Sequence, residues 1–187
     1  MSLLNKKVVE FNLEAFQENK FIKVSNKDLI GKWSVLFFYP ADFTFVCPTE
    51  LEDLANYYHE FQAIDCEIYG VSCDTHFVHK AWHETSPAIS KVNYPMIGDP
   101  TGILAKDLEI YDDLSGMSDR GTFIINPNGE VMMYEVSSGS VGRSAVELYR
   151  KIEAAKFTFE NGGEACPANW KPGSKALTPG YDLVGKI

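Results

Sequence analysis

The chain has no excess of basic charge: 17 Lys and Arg stand against 26 Asp and Glu, a formal net charge of −9. Its cations are scattered and form no patch that could offset phosphate repulsion, which excludes nucleic acid and anionic lipid as main partners. No apolar run approaches the roughly 20 residues needed to cross a bilayer. The start, Met1-Ser2-Leu3-Leu4-Asn5-Lys6-Lys7-Val8-Val9-Glu10, lacks an apolar stretch between a basic flank and a small-residue cleavage site. No export is therefore predicted, and the chain is expected in the cytoplasm. Reductants there keep structural disulfides rare, so its cysteines should be catalytic or inert. Internal repeats, low-complexity tracts and linkers between separate cores are also missing.

The 187 residues suffice for one domain with its own core, and an apolar fraction of 45% with 13% aromatics excludes a disordered chain. Trp33 to Tyr39 is a continuous apolar run of strand length, the pattern of a strand covered on both faces. Leu51, Leu54, Tyr58 and Phe61 then recur at helical spacing. Cys66 to Ser72 reads as a second strand, followed by a helix through Phe77, Val78 and Trp82 that Asp74 or Thr75 can cap. Tyr94 to Pro100 predicts a short strand broken by turn chemistry, with a helix over 102–108. Thr122–Ile125 and Val131–Val136 flank Asn126-Pro127-Asn128-Gly129, a hairpin cue, and a last helix is predicted from about Ser144 to Lys156. That order describes an α/β fold, a mixed sheet between helices. A thioredoxin-like layout satisfies it, and so, on periodicity alone, does a flavodoxin-like sheet.

From Phe157 onward, Gly162-Gly163, Pro167, Pro172-Gly173 and Pro179-Gly180 mark an extended arm that carries Cys166. The division predicted is a domain over 1–156 and an arm over 157–187.

Of the four cysteines, Cys47 stands where the first apolar strand has ended and a helix begins. Unpaired N–H groups and the positive end of the helix dipole favour a thiolate at such a place, which makes a nucleophile. Tyr39, Asp42 and Thr44 add hydrogen-bonding groups nearby. A cysteine hydrolase would need a histidine as base, and His59, His76, His79 and His83 stand in no context of that kind. A thioredoxin-type oxidoreductase would need Cys-x-x-Cys, but Cys47 is followed by Pro48-Thr49-Glu50, so a disulfide partner must come from a distant thiol. Cys166, in its arm, is the best-placed one, since a flexible segment can bring a thiol to a sulfenic acid. Cys66 and Cys73 lie in or beside an apolar strand and read as core residues; with His76 and His79 they do not follow a zinc spacing, and no metal site is expected. His76, His79 and His83 are expected on a partly solvated helix face, and Gly98-Asp99-Pro100-Thr101-Gly102 reads as a turn with no phosphate-cradling pattern.

The stretch Phe38-Tyr39-Pro40-Ala41-Asp42-Phe43-Thr44-Phe45-Val46-Cys47-Pro48-Thr49-Glu50 resembles the active-site signature of typical two-cysteine peroxiredoxins, with Pro40, Thr44 and Cys47 in the Pro-x-x-x-Thr-x-x-Cys positions. Cys73 to His83, Gly98 to Gly102, Gly163 to Trp170 and Asp182 to Ile187 extend the similarity over the whole chain, toward bacterial alkyl hydroperoxide reductase of the C type. The resemblance implies a peroxidase of thioredoxin-like fold with Cys47 as peroxidatic thiolate. Thr44 and Arg120 would steady the peroxide oxygens, Pro40 would shield the sulfur without adding a donor, and Glu50 would orient the surrounding hydrogen bonds.

It further implies Cys166 as the resolving thiol, acting on the partner subunit after the first turn around Cys47 unwinds. The enzyme would be a homodimer, with five dimers in a ring that meet near Phe43. Hydroperoxides would be the substrates, and a flavoprotein disulfide reductase or a thioredoxin-type donor would hold the flavin and nicotinamide, leaving no cofactor on this chain. A redox-controlled holdase or a peroxide-sensing relay is the alternative role. Two departures stand out: peroxide-sensitive relatives carry Gly-Gly-Leu-Gly and end in a helix with Tyr-Phe, whereas here Tyr111 to Met117 reads Tyr-Asp-Asp-Leu-Ser-Gly-Met and the sequence stops at Ile187. Resistance to sulfinic overoxidation is the expected consequence.

Overall fold

The computed structural model describes residues 2–186. Its strands and helices run β1 Asn12–Gln17, β2 Lys20–Ser25, β3 Trp33–Phe38, α1 Cys47–Ala63, β4 Cys66–Ser72, α2 His76–Thr85, β5 Met96–Gly98, α3 Ile103–Asp107, β6 Tyr111–Asp112, β7 Met117–Ser118, β8 Arg120–Ile125, β9 Val131–Ser137 and α4 Ala145–Glu160. A seven-stranded sheet takes the order β2-β1-β5-β4-β3-β8-β9, and β6 with β7 makes a separate two-stranded ribbon. β3, β4 and β5 are parallel, while β1, β8 and β9 join antiparallel. The mixed sheet agrees with the thioredoxin-like expectation and not with a flavodoxin-like one.

β3 lies inside this sheet, between β4 and β8, and all six of its residues are buried, which is why its sequence shows no alternation. Both partners hold it in register, Leu36 lying opposite Tyr69 and Phe123. Tyr39 N–H then donates to Val71 O at 3.0 Å, so the β3–β4 pairing runs one residue past the strand before the chain turns into α1. α1 packs on β4, and α2 on β1 and β5. Leu36, Phe38, Val71, Ile97, Leu104 and Phe123 are in the central cluster.

The pattern before Trp33 predicts no element, yet β1 and β2 form a hairpin there. Its tip, Glu18-Asn19, has both residues left-handed at φ 46° and 62°, a turn without the glycine that normally announces it. The Asn126 hairpin forms as expected, between strands that end at Ile125 and resume at Val131: Asn126 Oδ1 accepts the N–H groups of Asn128 and Glu130, each at 3.0 Å, and the pairing carries a bulge at Ile124/Ile125. α4 runs to Glu160, beyond the periodicity read from sequence. By contact density the chain forms two compact units, divided after Ala145, so the second takes in nearly all of α4 as well as the arm.

Candidate active site

The chain between β3 and α1 is fixed almost residue by residue. Tyr39 is fully buried, and its hydroxyl donates to Asp42 Oδ1 at 2.8 Å. Burial, reinforced by the Asp42 carboxylate, holds the Tyr39 phenol well above its usual range, so it stays a donor. Asp42 N–H donates to Asp74 Oδ2 at 2.9 Å, Ser118 Oγ donates to Tyr39 O at 3.2 Å, and Thr44 Oγ1 donates to Ala41 O at 2.8 Å. His79 Nδ1 lies 2.8 Å from Asp42 Oδ2, and its Nε2 lies 3.2 Å from Ile97 O. The expectation for the three histidines needs correction here: His76 and His83 are partly exposed, but His79 is fully buried as the partner of Asp42. Phe43 bends the chain with a left-handed φ of 57°, which leaves its ring against Trp82 at 5.9 Å and sends Phe45 into solvent at 91% exposure.

This loop delivers Cys47 as the first residue of α1, with Val46 at the N-cap and Pro48 in the first turn, where its missing N–H costs nothing. Val46 O takes the amides of Thr49 and Glu50, at 3.0 and 3.3 Å. Cys47 is 0% exposed, and Arg120 Nη1 donates to its Sγ at 3.3 Å. The same Nη1 donates to Glu50 Oε2 at 2.6 Å, and Arg120 Nε donates to Gly139 O at 2.9 Å. Arg120 opens β8, which lies beside β3, and this pairing is what brings residue 120 within reach of residue 47.

Arg143 completes the arrangement, and sequence reasoning missed it. Its Nε donates to Glu50 Oε1 at 2.8 Å, its backbone N–H to the same oxygen at 2.9 Å, and its Nη2 to Glu50 Oε2 at 3.2 Å. It also donates to Phe38 O, Gly121 O and Thr122 Oγ1, at 2.8, 3.0 and 3.0 Å, while its guanidinium stacks 3.5 Å from the Phe37 ring. Burial pulls the Arg143 pKa below the ordinary guanidinium value, and the bond to Glu50 opposes that pull. A lone arginine after Gly142 in a loop carries no sequence signal of such a role; only the burial of Glu50 among apolar helix positions could have asked for a second cation.

Of the residues singled out from sequence, the structure therefore brings together Cys47, Arg120 and Glu50. Pro40 and Thr44 lie in the loop that leads into them, both partly exposed. Cys166 belongs to the second unit, where its Sγ lies 3.7 Å from Ala154 O and the neighbouring Ala165 bridges Leu177. Burial raises its thiol pKa, with the Arg150 charge opposing. Cys66 is buried and Cys73 half-buried. Burial, followed by the charges of Asp99 and Asp74, pushes the Cys73 thiol up to about 11. Among the described residues no cluster of His, Cys, Asp and Glu could hold a metal ion, and no helix is long and apolar enough to cross a membrane.

On the thioredoxin-like sheet, then, a buried cysteine at a helix start faces a guanidinium that a carboxylate holds in place, an arrangement suited to thiol chemistry. Residues 4–134 match the model of the AhpC/TSA family, and residues 154–185, which include Cys166, match the C-terminal domain of 1-Cys peroxiredoxin. The chain belongs to the AhpC/TSA family and is a peroxiredoxin. It is 51% identical over 187 residues to alkyl hydroperoxide reductase C of Bacillus subtilis and 52% identical over 189 residues to that of Staphylococcus aureus, covering all of both chains in each case. The crystal structure of Enterococcus faecalis AhpC superposes with a TM-score of 0.87 at 47% identity, over 89% of this chain and all of that one. Reduced 2-Cys peroxiredoxin of Plasmodium vivax superposes with a TM-score of 0.91 at 33% identity, over 97% of this chain and 96% of that one.

Proposed function

We propose that this peroxiredoxin reduces hydrogen peroxide and small alkyl hydroperoxides by a two-cysteine cycle. Cys47 attacks as the thiolate: its sulfur bonds to one peroxide oxygen, the O–O bond breaks, and RO⁻ leaves and takes a proton to become ROH. Cys47 is then a sulfenic acid. Arg120 faces both the sulfur and the oxygens on which charge develops, and Glu50 with Arg143 keeps that guanidinium from swinging away. Thr44 orients the incoming peroxide, and Pro40, with no N–H to offer, covers the sulfur.

The first turn of α1 unwinds, and Cys166 of the partner subunit then attacks the sulfenic sulfur, forming the disulfide and releasing water. Two electrons and two protons from a dithiol on a flavoprotein disulfide reductase, or on a thioredoxin-type donor, restore both thiols. The chain works without a cofactor of its own, in the cytoplasm, as a homodimer that assembles into a ring of five dimers. The exposed Phe43 and Phe45 are suited to that assembly.

The observation that carries this reading is the 3.3 Å contact from Arg120 Nη1 to Cys47 Sγ, with the same nitrogen on Glu50. The test is non-reducing electrophoresis after stoichiometric peroxide, on wild type, Cys47→Ser and Cys166→Ser. A covalent two-chain band that needs both sulfurs is expected; a band that survives either substitution contradicts the cycle.

A further inference from the structure

α1 is secured very differently along its length. Its first turn, Cys47 to Glu50, is tied to the rest of the molecule through Glu50 and the arginine pair. From Leu51 onward the helix lies on the core through Leu51, Leu54, Tyr58 and Phe61, all buried. The change falls at the Leu51 carbonyl, and one side chain from elsewhere reaches it: Tyr94, fully buried just before β5, donates its hydroxyl to Leu51 O at 2.9 Å.

Tyr94 has little freedom to leave. Its ring lies over Gly70, where an added Cβ would meet it at 3.4 Å, and it packs edge-on against Tyr58 at 5.6 Å. Burial raises the Tyr94 pKa well above its usual value, Glu50 adds to the rise and Arg143 opposes it, so the phenol remains a donor under the ion pair.

We propose that Tyr94 is a positioning residue that sets how far α1 opens, confining the unwinding around Cys47 to the residues before Leu51. In an α-helix the amides of 51–54 donate to the carbonyls of 47–50, and the amide of Ala55 donates to Leu51 O. Opening of the first turn alone releases the former four and leaves Ala55 protected. The tyrosine fixes the acceptor at which fraying stops, so the cysteine is freed while the helix beneath it stays docked. The consequence for catalysis rests on the peroxidase reading; the boundary itself does not.

Hydrogen–deuterium exchange on the reduced, full-length protein without peroxide tests the boundary, comparing wild type with Tyr94→Phe. Tyr58→Phe is the control, since it removes a hydroxyl bond of the same helix, 2.6 Å to Glu67 Oε1, without touching Leu51. Loss of one net hydrogen bond of about 1 kcal/mol predicts about fivefold faster exchange at Ala55–Tyr57 in Tyr94→Phe. The Leu51–Leu54 amides should change little, and the control should leave Ala55–Tyr57 as in wild type. Unchanged exchange at Ala55–Tyr57 in Tyr94→Phe overturns the proposal, and so does an equal rise in Tyr58→Phe, which would reduce the effect to general loosening. A variant of lower global stability is judged by the same contrast between the two segments.

Discussion

Arg120 and Cys73 show how one chain gives two thiols opposite fates. Cys47 has a guanidinium at 3.3 Å, whereas Cys73 has Asp99 and Asp74 as its strongest charged neighbours, with Lys106 opposing them. With its pKa at about 11, the Cys73 thiol ionises far less at pH 8 than an ordinary cysteine of about 8.5. Its alkylation by iodoacetamide in the folded protein should be about 100-fold slower than that of an exposed thiol at that pH, and should rise steadily up to pH 11. Peptide mapping of labelled samples measures this, and a Cys73 rate that levels off by pH 9 contradicts it. Replacing Arg120 by Met removes the donor to the sulfur, so the second-order rate of Cys47 with hydrogen peroxide should fall by about 10²–10³, the usual cost of deleting a donor aimed at developing charge. Stopped-flow mixing reads it, and a rate within threefold of wild type would remove Arg120 from the mechanism.

At the scale of elements, the site is a junction: the first turn of α1, the start of β8 and the loop before α4 meet on the Glu50 carboxylate, and Arg143 ties the exit of β3 to them through Phe38 O. Glu50 and Arg143 are both nearly inaccessible, and removing one partner of a buried pair costs about 3–5 kcal/mol. Arg143→Met should lower unfolding stability by that amount in a denaturant titration; a loss near 1 kcal/mol would mean that water or Arg120 alone satisfies Glu50. Much of this junction was legible in the sequence. Trp33–Phe38 and Cys66–Ser72 show as apolar runs because they are buried almost throughout, and the 51–54–58–61 face shows because it is buried at helical spacing. The β1–β2 hairpin was not, since charged residues on the sheet edge and a turn without glycine blur its alternation. Arg143 and the burial of His79 were hidden for another reason: both depend on carboxylates, Glu50 and Asp42, that lie 93 and 37 residues away in the chain. The signature around Cys47 brought the site within reach; long-range pairing supplied the rest.

For the whole molecule, the segment that departs from peroxide-sensitive relatives is a small closed structure. β6 and β7 pair through Tyr111 and Ser118, and the Asp112 carboxylate accepts the amides of Leu114 and Ser115 at 3.0 and 3.3 Å. With this short ribbon in place of Gly-Gly-Leu-Gly, opening around Cys47 should be less hindered, and the sulfenic acid should meet Cys166 before a second peroxide. During turnover at low peroxide excess, most Cys47 should therefore escape sulfinic acid, and a majority of Cys47 found as sulfinic acid by mass spectrometry would contradict this. The central claim is that Cys47 is the sulfur that receives the peroxide oxygen. Its most direct test is mass spectrometry of Cys166→Ser protein quenched with dimedone after one equivalent of hydrogen peroxide: the account predicts the adduct on Cys47, and an unmodified Cys47 with the oxidation on Cys66 or Cys73 would contradict it.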